Sequence, residues 1–266
     1  MRSVSTVGCF GIMLGLILAE PLPSGAVEVT YRTSFEQPDY FAGDIDGQDG
    51  WTDVSFTGAG LVQNTEGINR GLQSLRIQPA AEVARPFTGS ASGVVYIDGY
   101  YRGPTVSETP EVSSLPMGTS IILFHATSGI LALDGDGTGG GDWKPTGTLV
   151  SSDTMQRITI RQDYNVPAWD LYIDGLLKAT GLGFKDNTIN RLNGINIETS
   201  ENGPGFLDDF SVTTAPPDFL ATPVLFYFQS DWTRSGGNLN WDLSPLTPDD
   251  RVDGNDLLEL VNRLKK

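Results

Sequence analysis

Trp169-Asp170-Leu171-Tyr172-Ile173-Asp174-Gly175-Leu176-Leu177 decides the fold class. Trp169, Leu171 and Ile173 alternate with Asp170 and Tyr172. That is the period-two pattern of a strand with one buried face and one solvated face. Asp174-Gly175 then offers two residues that tolerate positive φ, so the chain turns back as a tight hairpin. Arg157-Ile158-Thr159-Ile160-Arg161 alternates in the same way, and Leu192 to Ile197 and Phe206 to Val212 repeat the pattern. Ser120 to Phe124 is more continuously apolar and reads as a central strand covered on both faces. Between Val27 and Thr214 turn signals recur roughly every 8 to 15 residues, and no stretch has helical spacing. About ten to twelve short strands without disulfides predict an all-β fold, a two-sheet antiparallel jelly-roll sandwich.

The flanks differ from this body. Arg2, the apolar run Val7 to Leu18 and Ser24-Gly25-Ala26 make residues 1–26 a secretion signal, cut after Ala26. The run is shorter than the roughly 20 residues that span a bilayer. Cys9, the one cysteine, lies inside it. The remaining chain therefore has neither disulfides nor a thiolate metal site, which suits a bacterial exported protein. The net charge of −16 disfavours nucleic acid and anionic membranes as partners. Secretion, with the bacterial cell surface as one destination, is the expected location.

The body, 27–214, ends in a proline-rich linker at 215–223, where Pro216, Pro217 and Pro223 fall. Residues 224–266 form a different segment. Leu257, Leu258, Leu260, Val261 and Leu264 have helical spacing, with Asp253 or Asn255 as cap and basic residues at the end.

Two resemblances follow from these stretches. The Trp169–Leu177 hairpin, together with Leu207-Asp208-Asp209-Phe210-Ser211-Val212, resembles the laminin-G-like or concanavalin A-like jelly roll. Ser34-Phe35-Glu36 and Gly47-Gln48-Asp49-Gly50-Trp51 look like exported modules of that type. Asp249-Asp250-Arg251-Val252-Asp253-Gly254-Asn255-Asp256 resembles half of a dockerin-type calcium loop, a relative of the EF-hand. That likeness implies Ca2+ held by Asp242, Asp249, the Arg251 carbonyl, Asp253 and Asp256, and a cohesin-like protein as a partner. This chain departs from the motif in three ways. Too many residues separate Asp242 from Asp249, Asp250 stands where the turn glycine belongs, and only one repeat is present. A weak calcium loop and a plain helix cap both remain open.

Candidate chemistry is sparse. Phe206, Asp208, Phe210 and Val212 share a face by period two, which puts a carboxylate among apolar residues. Asp208 then either binds calcium or accepts backbone hydrogen bonds from a neighbouring loop. Asp44–Asp49 and Asp134, Asp136 and Asp142 are aspartate–glycine clusters that serve as turns or ion sites. Trp143 follows the glycine-rich stretch Gly137 to Asp142 and is read as a sugar platform on a loop. Tyr100 and Tyr101 are adjacent, so one of them points outward. Trp51 and Trp169 read as core.

Catalytic signals are weak. The E-x-D-x-(x)-E string of jelly-roll glucanases does not occur. A lyase would draft Arg157, Arg161 and Tyr172. The single histidine, His125, excludes a multi-histidine metal site and reads as a packed or hydrogen-bonded residue. The expected function is a non-catalytic module binding a polysaccharide or cell-surface glycan. A polysaccharide-degrading enzyme and a structural surface protein are the alternatives.

Overall fold

The computed structural model describes residues 11–15, 31–91 and 93–217. The chain divides into two compact units, Met1–Ala215 and Pro216–Lys266, and every strand below belongs to the first. The expected tail segment, with Asp242, Asp249, Arg251, Asp253 and Asp256, lies outside the described residues. So does most of the expected leader.

Among the described residues the alternation written in the sequence becomes sixteen strands. They are β1 (Gly11–Gly15), β2 (Tyr31–Thr33), β3 (Gly43–Asp44), β4 (Thr52–Asp53), β5 (Gly60–Gln63), β6 (Ser74–Ile77), β7 (Glu82–Ala91) and β8 (Val94–Arg102). Then come β9 (Gly118–His125), β10 (Gly129–Gly135), β11 (Gly141–Pro145), β12 (Gln156–Asp163), β13 (Ala168–Ile173), β14 (Leu176–Gly183), β15 (Leu192–Glu198) and β16 (Gly205–Thr213). Seven form one sheet in the order β11-β10-β9-β1-β15-β7-β4. The other sheet runs β14-β13-β12-β8-β16-β6-β5-β3, with β2 added on β16 as its ninth strand. The one helical turn among the described residues is a 3-10 turn at Val112–Ser114.

The inner faces of the two sheets share one core. Trp51, Trp169, Phe35, Phe124 and Phe210 have no exposed surface. Trp51 sits between Phe35, at 5.9 Å, and Phe210, at 6.1 Å, in tilted and edge-on contacts. Asp174 and Gly175 both have positive φ, 51° and 77°, the geometry that lets β13 and β14 close as a tight hairpin. At one margin the sheets touch backbone to backbone. A Cβ on Gly183 would lie 2.2 Å from the carbonyl oxygen of Gly135, so only glycine permits the approach.

Two sequence expectations need correction. Phe206, Asp208, Phe210 and Val212 do not share a face. The pairing of β16 with β8 shifts register between Asp208 and Ser211, and Asp209 takes a left-handed φ of 47°. This bulge inserts an extra residue and reverses the alternation. Leu207, Phe210 and Val212 face the core, whereas Phe206 and Asp208 stay outside its cluster. Trp143 lies not on a glycine-rich loop but in β11, paired with Leu133.

Candidate functional site

The outer face of the nine-stranded sheet carries an ordered set of arginines, aspartates and tyrosines. The inward positions of β8 are Val95, Ile97 and Tyr101, which leaves Tyr96, Asp98, Tyr100 and Arg102 pointing outward. On β12, Ile158 and Ile160 face the core, so Arg157, Thr159 and Arg161 face out. On β13, Asp170 and Tyr172 do the same. Register then sets the neighbours. Arg157 stands opposite Tyr100, Thr159 opposite Asp98 and Arg161 opposite Tyr96. On the other side, Thr159 faces Tyr172 and Arg161 faces Asp170.

These neighbours are bonded. Arg157 donates from Nε to Asp98 Oδ1 at 3.0 Å and from Nη2 to Oδ2 at 2.7 Å, a forked charge-assisted pair. The Thr159 hydroxyl also donates to Asp98 Oδ1. Burial works against the charge on Arg157, but Asp98 more than restores it and holds the guanidinium pKa above its ordinary value. Arg161 bridges Asp170, at 3.2 Å, and Asp163, at 3.0 Å. The second oxygen of Asp170 accepts from the Thr180 hydroxyl and the Gly181 amide. The guanidinium of Arg157 lies 5.7 Å from the Tyr100 ring centre. The side chains of Arg157 and Arg161 keep 24% and 28% exposure.

Beyond Tyr100 the row reaches Arg102, which lines a cleft of about 600 Å3 with Glu66, Pro104, Val150, Asn202 and Phe206. Arg102 stacks on Phe206 at 4.3 Å and pairs with Glu66 at 3.3 Å.

The face suits recognition better than proton abstraction. Burial, then the Asp170 and Tyr96 charges, raise the Tyr172 pKa, so its phenol keeps its proton at neutral pH. A general base needs the opposite shift. Arg157 and Arg161 are answered by Asp98, Asp163 and Asp170, so these five groups sum to −1. That balance disfavours a uronate or sialic acid carboxylate. The partly exposed rings of Tyr100 and Tyr172 beside fixed donors and acceptors fit hydroxyl-rich, uncharged ligands.

The other predicted residues are scattered. Tyr100 is on this face, but Tyr101 points the opposite way and is 1% exposed, so its assignment to a binding surface is corrected. Trp143 is on the other sheet. It packs with Val106, Leu123 and Leu131, and its indole N–H donates to the Pro110 carbonyl at 3.2 Å. Segment 103–117 is pinned over it. Val106 exchanges backbone hydrogen bonds with Phe124 and Ala126. The buried ammonium of Lys185 donates to the carbonyls of Leu115 and Pro116, and its pKa is lowered by that burial. Trp143 is thus not an open platform.

Asp208 has no exposed surface. Its Oδ2 accepts the amides of Asn69, at 2.7 Å, and Arg70, at 3.1 Å, and Oδ1 accepts that of Asp209. Both oxygens are committed to backbone, which is the loop-anchoring reading of this residue and not the metal one. Burial nonetheless pushes its pKa up to about 6. Asp44, Asp46 and Asp136 likewise accept amides within their own turns. No group of three or more potential metal-binding side chains converges among the described residues. His125 Nδ1 accepts the amides of Thr127 and Ser128, fixing a turn.

No family model and no curated protein sequence matches the chain. Solved structures similar to it include a sialidase, with 10% identity and a TM-score of 0.48 over 76% of this chain and 20% of that one. The binding domain of Paraclostridial Mosquitocidal Protein 1 has 14% identity and a TM-score of 0.48, covering 86% and 54%. Alginate lyase vAL-1 from Chlorella virus has 8% identity and a TM-score of 0.43, covering 64% and 95%. The chain thus spans about a fifth of the sialidase and about half of the mosquitocidal protein domain. Among the described residues no helix is long and apolar enough to cross a membrane.

Asp98, Tyr96, Thr159, Asp163 and Asp170 were missed in the sequence. Their signal was present as polar residues at every second position of apolar strands. What was missing was the register that lines up β8 with the consecutive strands β12 and β13, from which it is distant in the chain.

Proposed function

We propose that the protein is an exported, non-catalytic glycan-binding module. Its site is the outer face formed by Tyr172, Arg161, Arg157, Tyr96, Asp98 and Tyr100. The observation that carries this is the forked Arg157–Asp98 pair between Tyr100 and Tyr172, which fixes donors and acceptors beside aromatic rings before any ligand arrives. The charge balance favours neutral polysaccharides over uronate polymers. A lyase that used Tyr172 as its base would have to remove a proton that burial helps to hold in place. A tail-bound Ca2+ on Asp242, Asp249, Asp253, Asp256 and the Arg251 carbonyl, and a cohesin-like partner for that tail, belong to the same proposal. They rest on sequence likeness alone.

Affinity electrophoresis on neutral and acidic polysaccharides, with calcium and with EDTA, tests the reading. Retention on neutral glycans with no shortening of the chains is expected, and EDTA should leave it intact while lowering the melting temperature of the tail. Retention confined to uronates, or chain shortening, would replace the module with an enzyme. Absence of retention on every glycan would leave a structural role.

A further inference from the structure

The seven-stranded sheet is completed by a strand from the apolar N-terminal run. β1 is antiparallel to β9, with Gly11 opposite Leu123, Ile12 opposite Ile122, Met13 opposite Ile121 and Gly15 opposite Gly118. It is also antiparallel to β15, with Gly11 opposite Glu198, Ile12 opposite Ile197 and Met13 opposite Asn196. β9 and β15 therefore run parallel to each other with one strand between them, about 9.5 Å apart at the usual strand spacing.

The walls of this slot are firmly placed. All eight residues of β9 are buried, and β15 buries Leu192, Ile195 and Ile197 in the common core. β9 is paired on its far side with β10, and β15 with β7. Every ladder between named strands is antiparallel. Joining β9 directly to β15 would create the one parallel ladder in either sheet. It would also drag half of the sheet about 5 Å across the core. Both constraints oppose closure of the slot.

The sequence reads residues 1–26 as a leader cut after Ala26. Among the described residues, that cut removes β1 and leaves two facing rows of backbone N–H and C=O groups in apolar surroundings, a state that demands a partner. The geometry points to a strand-acceptor slot between β9 and β15. Once the leader strand is gone, the slot takes an extended, uncharged apolar peptide segment from a partner protein, antiparallel to both walls. The seated segment defines the occupant. It is five residues long and reads Gly-Ile-Met-Leu-Gly. Main-chain hydrogen bonds on both sides supply the affinity, as in strand addition generally. The inference rests on the leader reading and is independent of the glycan site.

The test uses the full chain, native and with Met13→Pro. Proline removes a donor and disrupts the ladder at a position paired on both sides. A fluorescent synthetic peptide carries Gly-Ile-Met-Leu-Gly between lysines added for solubility. A control peptide has proline at its centre and the same lysines. The Met13→Pro chain should bind the first peptide at least tenfold more tightly than the native chain does, and the control should not bind. Backbone amides of β9 and β15 should regain hydrogen-exchange protection, with retention on glycans unchanged. Equal binding by both chains, no binding, or binding of the proline control overturns the proposal. Should the variant fail to fold, two cross-link variants in a Cys9→Ser chain replace it: Ile12→Cys with Ile197→Cys, and Met13→Cys with Asn196→Cys. Neighbouring cross-strand pairs alternate in Cα separation, so one of them suits a disulfide. Failure of both to oxidise also overturns it.

Discussion

The outer faces of the two sheets obey the same alternation and end up as opposite surfaces. On the nine-stranded sheet the outward residues of β8, β12 and β13 include arginines, aspartates and tyrosines tied to one another, with Arg157 and Arg161 left partly exposed and Tyr96, Asp98 and Thr159 buried among them. On the seven-stranded sheet the outward residues Leu123, Leu131 and Trp143 are apolar, and segment 103–117 covers them with Val106 and the Pro110 carbonyl. An aromatic ring thus stays partly exposed or joins a second small core according to what lies over it, not according to its type. The comparison teaches where to test for the proposed ligand: on the face whose polar groups satisfy each other without a lid.

The largest expected effect lies in the polar face. Arg157→Ala leaves Asp98, which is 6% exposed, with one hydroxyl partner, and should cost about 3 kcal/mol of unfolding free energy in urea. A cost near zero would show that the pair behaves like an ordinary surface bridge and that the face is not pre-organised.

The same sheet should show a pH signature at Asp208. Its folded pKa, about 6, lies above that of an unfolded aspartate, so the proton binds the folded state more tightly. Its stabilising share is complete below about pH 4 and disappears as pH rises through 6, a loss of roughly 3 kcal/mol at most. The difference in melting temperature between native protein and Asp208→Asn should therefore change between pH 4 and 6 and level off above. A pH-independent difference would mean that Asp208 keeps an ordinary pKa under its loop.

The covered face predicts a smaller loss of a different kind. Trp143→Ala removes a half-buried ring from the small cluster and should cost about 2 kcal/mol, with glycan retention unchanged. Weaker retention without loss of stability would invert the comparison and return Trp143 to the binding surface. The smallest expected change in free energy is at the proposed site. Tyr172→Ala should weaken retention on neutral glycan about tenfold, roughly 1.4 kcal/mol. It should move the unfolding midpoint less than Trp143→Ala does.

Much of the sandwich was legible. The hairpin at Asp174-Gly175, the alternation of Arg157 to Arg161 and the doubly covered Ser120–Phe124 strand all follow from local pattern, and the structure has each of them. Trp51 and Trp169 read as core and are core. The site was legible only in fragments. Arg157, Arg161 and Tyr172 stood out together as residues a lyase would use, yet nothing local showed that Asp98 and Tyr100 lie beside them. Glycine misled at Trp143: Gly137 to Gly141 resembles an open loop, whereas pairing with β10 draws Gly141 onward into an edge strand. The bulge at Asp209 misled at Asp208, because a period-two count has no way to register one inserted residue.

The sequence by itself determined the class of fold, the hairpin, the tryptophans of the core and the acidic, disulfide-free character of the chain. Those properties depend on composition and on neighbours two residues apart. Only the tertiary structure decided which outward side chains meet, which aromatic ring is covered, and that a strand of the N-terminal run lies between β9 and β15. The physical reason is that register between strands distant in the chain is set by the packing of the whole core, to which each strand contributes a face but no address.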